Sequence, residues 1–297
     1  LEAPAFTLSS SSESKAQNVA IAGYTISSTG GVIASYAISP AAPAGTSFST
    51  STGLLTGTPT TVQGATVYTI TATNATSTAT QTFTLTVTVL TCANGGSCTV
   101  GVDTGPGGGI VFYYSASAFT STGSACGINC HYLEVAPSGW SITPVSGCST
   151  PGSSSADPYC AWSGSTNASA VASVNRAIGT GYANTSAIIA QTNGGSTAGK
   201  AATVSRAYQG GGKTDWFLPS QLELNQLCRY AWNLTVNNAA ETCTGVTGTI
   251  RTGFSLIDYW SSSEYNASLT RYHYFRDGGQ ANYAKSLVLY VRPVRAG

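Results

Sequence analysis

From Phe83 to Val89 every second residue is apolar: Phe83, Leu85, Val87 and Val89 alternate with Thr84, Thr86 and Thr88, and Thr82 precedes them. Successive side chains of a strand point to opposite faces, so this period predicts a half-buried β-strand with an apolar inner face and a threonine outer face. An earlier run, Tyr68, Ile70 and Ala72 separated by Thr69, Thr71 and Thr73, has the same period, and the polar stretch from Asn74 to Thr80 is suited to turn between them. The two runs predict a hairpin. Upstream, Pro40, Pro43, Gly45, Gly53, Gly57 and Pro59 interrupt short apolar segments, including Tyr36 to Ser39 and Ser47 to Ser49, at the spacing a β-sandwich needs.

A chain of 297 residues is long enough for two cores. Gly, Ser, Thr and Ala are plentiful while Lys and Glu are scarce, which favours short strands and many turns, a mainly β chain. Only 8% of residues are charged and the formal net charge is +1, so there is no basic stripe for nucleic acid or an anionic membrane surface. No stretch reaches the ~20 apolar residues of a membrane-spanning helix, so direct membrane insertion is not expected. The sequence begins at Leu1 without a signal-peptide pattern, which leads us to expect a processed or excised product.

The eight cysteines fall into sequential couples, and Met is absent. An even number in such couples favours an oxidising compartment, with nearest-neighbour pairing: Cys92 with Cys98, Cys126 with Cys130, Cys148 with Cys160, Cys228 with Cys243. Such short loops act as local staples of roughly 2 to 3 kcal/mol each. Zinc is the alternative, but no couple has C-x-x-C spacing and only His131 and His273 offer imidazole, so no metal and no cofactor is expected.

Three segments of the first ninety residues carry a resemblance: Ser39-Pro40 through Pro43 and Gly45 to Phe48, Thr52-Gly53-Leu54-Leu55-Thr56-Gly57-Thr58-Pro59, and Tyr68-Thr69-Ile70-Thr71-Ala72-Thr73-Asn74. They resemble a bacterial family of Ig-like domains. The resemblance implies a β-sandwich over residues 1–90, used as a spacer or stalk without an active site. Glu2, Glu13 and Lys15 are its only charges, too few for acid–base chemistry.

Cys92 to Cys98 encloses a tight loop, and residues 91–105 read as a stapled linker before a domain at 106–297. Val102 to Gly109 is glycine-rich and feeds the apolar run Ile110 to Tyr114. A phosphate-binding loop is excluded, because the glycines precede the strand instead of joining a strand to a helix, and no Gly-Lys-Ser/Thr follows. His131 to Pro137 predicts another strand, and Ala168 to Ile178 and Thr185 to Gln191 predict short helices. The firmest local expectation is a helix over Gln221 to Trp232. Ser220 supplies the N-cap, Glu223 completes a capping box, and Leu222, Leu224, Leu227 and Tyr230 mostly follow helical spacing.

The segments D-T-G-P-G-G-G-I-V-F-Y from Asp103, Y-L-E-V-A-P from Tyr132, I-G-T-G-Y-A-N-T-S-A-I-I from Ile178, D-W-F-L-P-S-Q-L-E-L-N-Q-L from Asp215, Y-W-S-S-S-E from Tyr259 and Y-V-R-P-V-R from Tyr290 occur in that order. They resemble the bacterial family first described as the collagen-like-protein C-terminal domain, over roughly residues 100 to 297. The resemblance implies a C-type-lectin-like α+β fold that displays a variable surface. Its displayed face corresponds here to Tyr265 to Lys285, which makes Tyr272, Tyr274, Arg276, Asn282 and Tyr283 the binding candidates. Tyrosine and arginine suit contact surfaces and sugar stacking, although about half of such residues serve a core.

Alternation puts Arg271, His273 and Phe275 on one face and Tyr272, Tyr274 and Arg276 on the other. Family members often have apolar residues at the positions of Arg271 and His273, so this departure leaves inward and outward faces open. Arg292 and Arg295 fit an anion grip less well than a structural role in pairing with Asp or Glu.

A calcium lectin would need converging carboxylates and amides, and neither Glu-Pro-Asn nor Trp-Asn-Asp is present. Formylglycine-generating enzymes share a related fold and use a reactive Cys pair; they are the remote enzymatic alternative, but their Arg-rich C-terminal pattern is missing and Cys228 and Cys243 look stapled. A serine hydrolase lacks its Gly-x-Ser-x-Gly elbow. Acceptor sequons occur at Asn74, Asn167, Asn184, Asn233 and Asn266. The expectation is a non-enzymatic bacterial protein, extracellular or on the cell surface, that builds a filament or appendage from copies of itself. The alternative is a monomeric adhesin, a lectin-like head for a glycan or surface protein. The apolar segment at the start of the chain, with Phe6 and Leu8, is expected either to form the first strand of its own domain, the stronger expectation for an isolated domain, or to complete a neighbouring copy's sheet by strand addition, which makes Phe6 and Leu8 the self-assembly candidates.

Overall fold

The computed structural model describes residues 2–141, 147–148, 157–163, 174–191, 198–236 and 242–297. The chain divides into two compact units, Leu1–Gly96 and Ser97–Gly297. Residues 91–96 belong to the first and 97–105 to the second.

Apart from a single 3-10 turn at Cys92–Asn94, the first unit is built of β-strands. Its main sheet has the order β2–β8–β7–β4, built from β2 (Ser12–Ala16), β4 (Ser35–Ser39), β7 (Gln63–Thr73) and β8 (Thr78–Thr88). β7 and β8 are the expected hairpin, with Tyr68 opposite Phe83 and a turn over residues 74–77. Asn74 builds that turn, its Oδ1 accepting from the main-chain N–H of Thr76 and Ser77. Two small pairs, β1 (Phe6–Leu8) with β3 (Ile26–Ser28) and β5 (Thr46–Phe48) with β6 (Leu55–Gly57), complete the layer that covers the core. Phe83, Leu85 and Val87 are buried as their period requires, but Val89 lies beyond the end of β8 and is exposed. The alternation outlasts the pairing by one residue.

The Thr-Gly-x-x-x-Gly-Thr-Pro segment has a steric explanation. Gly53 has φ of 73°, and a Cβ there would come within 2.4 Å of Ile26 and 2.8 Å of Tyr36. Its carbonyl accepts from the hydroxyl of buried Tyr24 at 2.9 Å. A side chain at Gly53 would therefore cost both backbone strain and the seat of two core residues.

Phe6 is 3% exposed inside this core, edge-on to Tyr36, and Leu8 packs against it while β1 pairs with β3 of the same chain. Of the two expectations for this segment the fold takes the first, a strand of its own domain, and both side chains are spent on their own sandwich rather than offered for strand addition.

Among the described residues, the second unit has two sheets and three α-helices. A three-stranded sheet, β16–β10–β9, consists of β9 (Ile110–Phe119), β10 (Cys130–Val135) and β16 (Val294–Ala296). A five-stranded sheet, β11–β15–β12–β13–β14, consists of β11 (Tyr159–Ala161), β12 (Asp258–Glu264), β13 (Leu269–Tyr274), β14 (Gln280–Ala284) and β15 (Val288–Tyr290). The helices are α1 (Gly181–Ile189), α2 (Ala201–Ala207) and α3 (Gln221–Ala231). α1 starts four residues before the expected Thr185, and α2 was not anticipated, since its Ala-Ala-Thr-Val-Ser-Arg-Ala has too few large apolar residues to show a period. The expected helix from Ala168 lies largely outside the described residues, and residues 174–178 are not helical.

The central strand of the five-stranded sheet, β12, is buried on both faces. Tyr259, His273 and Phe275 are buried on the side of a core shared with α3 and the three-stranded sheet, whereas Trp260, Tyr272 and Leu289 join a second core with α1 and α2. Neighbouring residues of β13 thus enter different cores. α3 carries the predicted cap: Ser220 Oγ accepts from Glu223 N–H, and the Glu223 carboxylate accepts from Ser220 N–H at 2.6 Å. The same carboxylate accepts from Gly179 N–H at 2.8 Å, so one buried acid ties the entry of α1 to that of α3.

Disulfides join Cys126 to Cys130, Cys148 to Cys160 and Cys228 to Cys243, and Cys92 and Cys98 are both disulfide-bonded.

Candidate binding groove

The charges of the C-terminal motifs are turned inward. Arg295 pairs with Glu134 (2.9 Å) and Asp215 (2.5 Å), and the Glu134 carboxylate also accepts from Gly107 and Gly109 N–H. The glycine run wraps this carboxylate: a Cβ on Gly107 would lie 2.5 Å from the Trp216 ring and 2.9 Å from Glu134. Asp157 accepts from Arg292 Nε (2.6 Å) and Tyr259 Oη (2.9 Å), and Arg292 also donates to the carbonyls of Ala136 and Gly253. Both arginines are therefore structural, as the sequence favoured. Burial pushes the Glu134 and Asp157 carboxyls up against the pull of their arginines. In the Tyr-Trp-Ser-Ser-Ser-Glu segment all six residues are buried; Trp260 donates to the Cys160 carbonyl, Ser261 to the Arg271 carbonyl and Ser263 to the Asn175 carbonyl. Each of these groups has a partner that holds two elements together.

The two histidines are also placed by the fold. His131 Nδ1 lies 3.0 Å from the Ser115 carbonyl. His273 is fully buried, opposite Tyr259 and Gln280 in the sheet, and its pKa falls to about 3 because desolvation disfavours the charged ring. It settles the question of faces: His273 points inward, and it does so uncharged. With Cys228 and Cys243 it forms a buried trio, but the two sulfurs are bonded to each other and are not available to a metal.

The binding candidates separate. Tyr272 is 5% exposed, so it is a core residue, placed there because β13 is covered on both sides. Its hydroxyl donates to that of Tyr274, which is half-buried, and the ring of exposed Tyr283 lies 5.5 Å from its own. Asn282 is half-buried on the edge strand β14, opposite Arg271. Arg276 is exposed, with its guanidinium 5.8 Å from the centre of the Tyr274 ring.

Arg276 reaches an open groove of about 450 Å³ lined by Tyr159, Leu256, Ile257, Asp258, Val288, Leu289 and Tyr290. Parallel pairing of β12 with β15 puts Tyr259, the residue after Asp258, beside Tyr290, and antiparallel pairing of β15 with β11 puts Tyr159 opposite Tyr290, their ring centres 5.3 Å apart. Leu256 and Val288 are 52% and 47% exposed. Burial raises the Asp258 carboxyl while Arg276 pulls it down. Two tyrosine rings, an apolar floor and one charge of each sign offer ring stacking and paired hydrogen bonding, the needs of a sugar or an extended peptide. Only Arg276 of this set was foreseen. Tyr290 was legible in principle, as the half-buried residue between Leu289 and Val291 in a strand pattern, but the two other walls come from β11 and the residues before β12, far away in sequence.

Among acceptor sequons, Asn184 is fully buried and cannot carry a glycan, Asn266 is exposed, and Asn167 lies outside the described residues. No helix of the described residues is long and apolar enough to cross a membrane.

Residues 3–88 match the family described as "Putative Ig domain". The N-terminal unit is Ig-like, and with the disulfides it fits an extracellular protein of structural or adhesive kind. No curated protein matches the chain. Among solved structures, two Bacteroides fragilis proteins, a "putative alpha-galactosidase" and a "putative alpha-galactosidase/melibiase", each match at 18% identity with a TM-score of 0.25, covering 29% of this chain and 17% of their own. A chimeric titin Z1Z2 carrying a decorin peptide matches at 26% identity with a TM-score of 0.24, covering 30% of this chain and 96% of its own. The chain thus spans about a sixth of the length of the first two.

Proposed function

We propose that the chain is a non-catalytic bacterial surface protein in which the Ig-like unit is a spacer and the C-terminal unit, of C-type-lectin-like kind, is an adhesive head for a glycan or a surface protein. The observation that carries this reading is the groove between Tyr159, Tyr290 and Arg276, an exposed apolar and aromatic surface next to motifs whose charges serve the interior. The test is a glycan and protein binding screen with the wild type, followed by Tyr290→Ser and Arg276→Ala. Loss of a bound ligand in both variants, with folding intact, supports the groove; binding that survives both removes it.

A second reading, a subunit of an extracellular filament, is favoured by a separate surface of the Ig-like unit. Val32 is 89% exposed beside a groove of about 420 Å³ lined also by Ala34, Ala75 and Thr76. Scarcity of charge lowers the repulsion between copies. Electron microscopy of the native protein across a concentration series distinguishes the two: regular fibres support the subunit, and persistent monomers leave only the adhesin.

A further inference from the structure

Lys285 and Glu264 form an ion pair whose side chains are 0% and 1% exposed. The other lysines, Lys15, Lys200 and Lys213, are at least partly exposed. Glu264 ends β12, while Lys285 follows β14 with its N–H bonded to the Ser268 carbonyl, and the Trp162 ring lies 4.9 Å from the ammonium. Between the two residues run β13, β14 and their turns. Desolvation lowers the Lys285 pKa. In water, condensation of an amine with a carboxylate is opposed by the hydration of the two ions; inside this site that hydration has already been given up.

We propose that Lys285 and Glu264 are joined by an amide bond in the mature protein. The ammonium passes a proton to the carboxylate across their hydrogen bond, which leaves a neutral amine and a carboxylic acid. Nζ then attacks Cδ, the Nζ–Cδ bond forms, the Cδ–OH bond breaks, and the hydroxyl leaves as water with the second nitrogen proton. Nothing is oxidised or reduced, and no co-reactant is consumed. The two groups are held in contact by the sheet, and fixed neighbours react as if at effective concentrations of roughly 10⁵–10⁸ M. The product replaces two buried charges with one neutral amide and closes a covalent loop around β13 and β14, which suits a protein that bears load outside the cell.

The test is the intact mass of the purified, folded full-length chain after reduction of its disulfides. The wild type is expected to be lighter than its sequence by one water, and tandem mass spectrometry to find a branched peptide containing residues 264 and 285. Glu264→Gln is expected to reach the same final mass by losing ammonia instead, and Lys285→Met to keep its full mass. A wild type with its full sequence mass overturns the proposal, whether or not the variants fold. So does a water loss that maps to any other residue.

Discussion

His273 gives the most quantitative consequence of the fold. The ring is fully buried on β13, beside the Cys228–Cys243 disulfide and edge-on to Phe275, and neither nitrogen has a hydrogen-bond partner of good geometry. Its pKa is about 3, against about 6.5 in an unfolded chain. The unfolded state therefore takes up a proton that the folded state refuses. Stability contributed by the neutral ring is complete above pH 6.5 and is lost as pH falls from there towards 3. Each pH unit in that window costs about 1.4 kcal/mol, so at pH 4.5 the loss is roughly 3 kcal/mol.

Carboxyls with raised pKa, among them Glu134, Asp157 and Glu223, act in the opposite direction, since their folded forms gain protons first as pH falls. The histidine term must therefore be isolated by difference. Guanidinium unfolding of the wild type and His273→Phe, at pH 7.5 and pH 4.5, does this. Trp140, Trp162, Trp216, Trp232 and Trp260 all lie in the second unit, so tryptophan fluorescence reports its unfolding without a signal from the Ig-like unit. The wild type should lose roughly 3 kcal/mol more than the variant between the two pH values. Parallel losses, equal within about 0.5 kcal/mol, would refute a buried neutral imidazole.

Three further outcomes follow from the same packing. Glu134→Ala leaves Arg295 buried with half its partners and opens the glycine cradle, and should cost about 3 to 5 kcal/mol in denaturant unfolding. Ser220→Ala removes the N-cap of α3 and should cost about 1 kcal/mol in denaturant unfolding. Replacing Cys228 and Cys243 together with alanine opens a link of sequence separation 15, and should lower stability by about 3 kcal/mol while leaving the Ig-like unit's own transition unchanged.

Where the fold was legible, a single local rule governed the outcome. The period of two in β8 required one buried face, and Ser220 with Glu223 could satisfy the free N–H groups of only one helix start. Short cysteine couples likewise limit how far apart their partners sit. Legibility failed where burial depended on a third element. Nothing in the alternation of Arg271 to Arg276 says that both faces of β13 are covered, because the covering comes from α3 on one side and from α1 and α2 on the other. Tyr272 was therefore read as displayed when it is core. Whether Phe6 serves its own sandwich or a neighbour's stayed open for the same reason, since its partner strand, Ile26–Ser28, is too short and polar to announce itself.

The groove was hidden for a related reason. The residues that carry the family resemblance are conspicuous because they are rare types in this chain: acids, arginines and tryptophans in fixed order. Rarity invites a functional reading, yet a charge in so apolar a sequence is most useful as a buried, directional link between elements distant along the chain, as Arg295 links β16 to Glu134 on β10 and to Asp215 ahead of α3. Such links specify which elements meet, and they demand that each member stay in place. A contact surface has the opposite requirement, since side chains that hold no element in place can change without unfolding the protein. Leu256, Val288 and Arg276 are of that kind, exposed and outside the ordered motifs. In a chain built this way the motifs describe the frame, and ligand contacts are found at the frame's edge, in residues that a reading of motifs passes over.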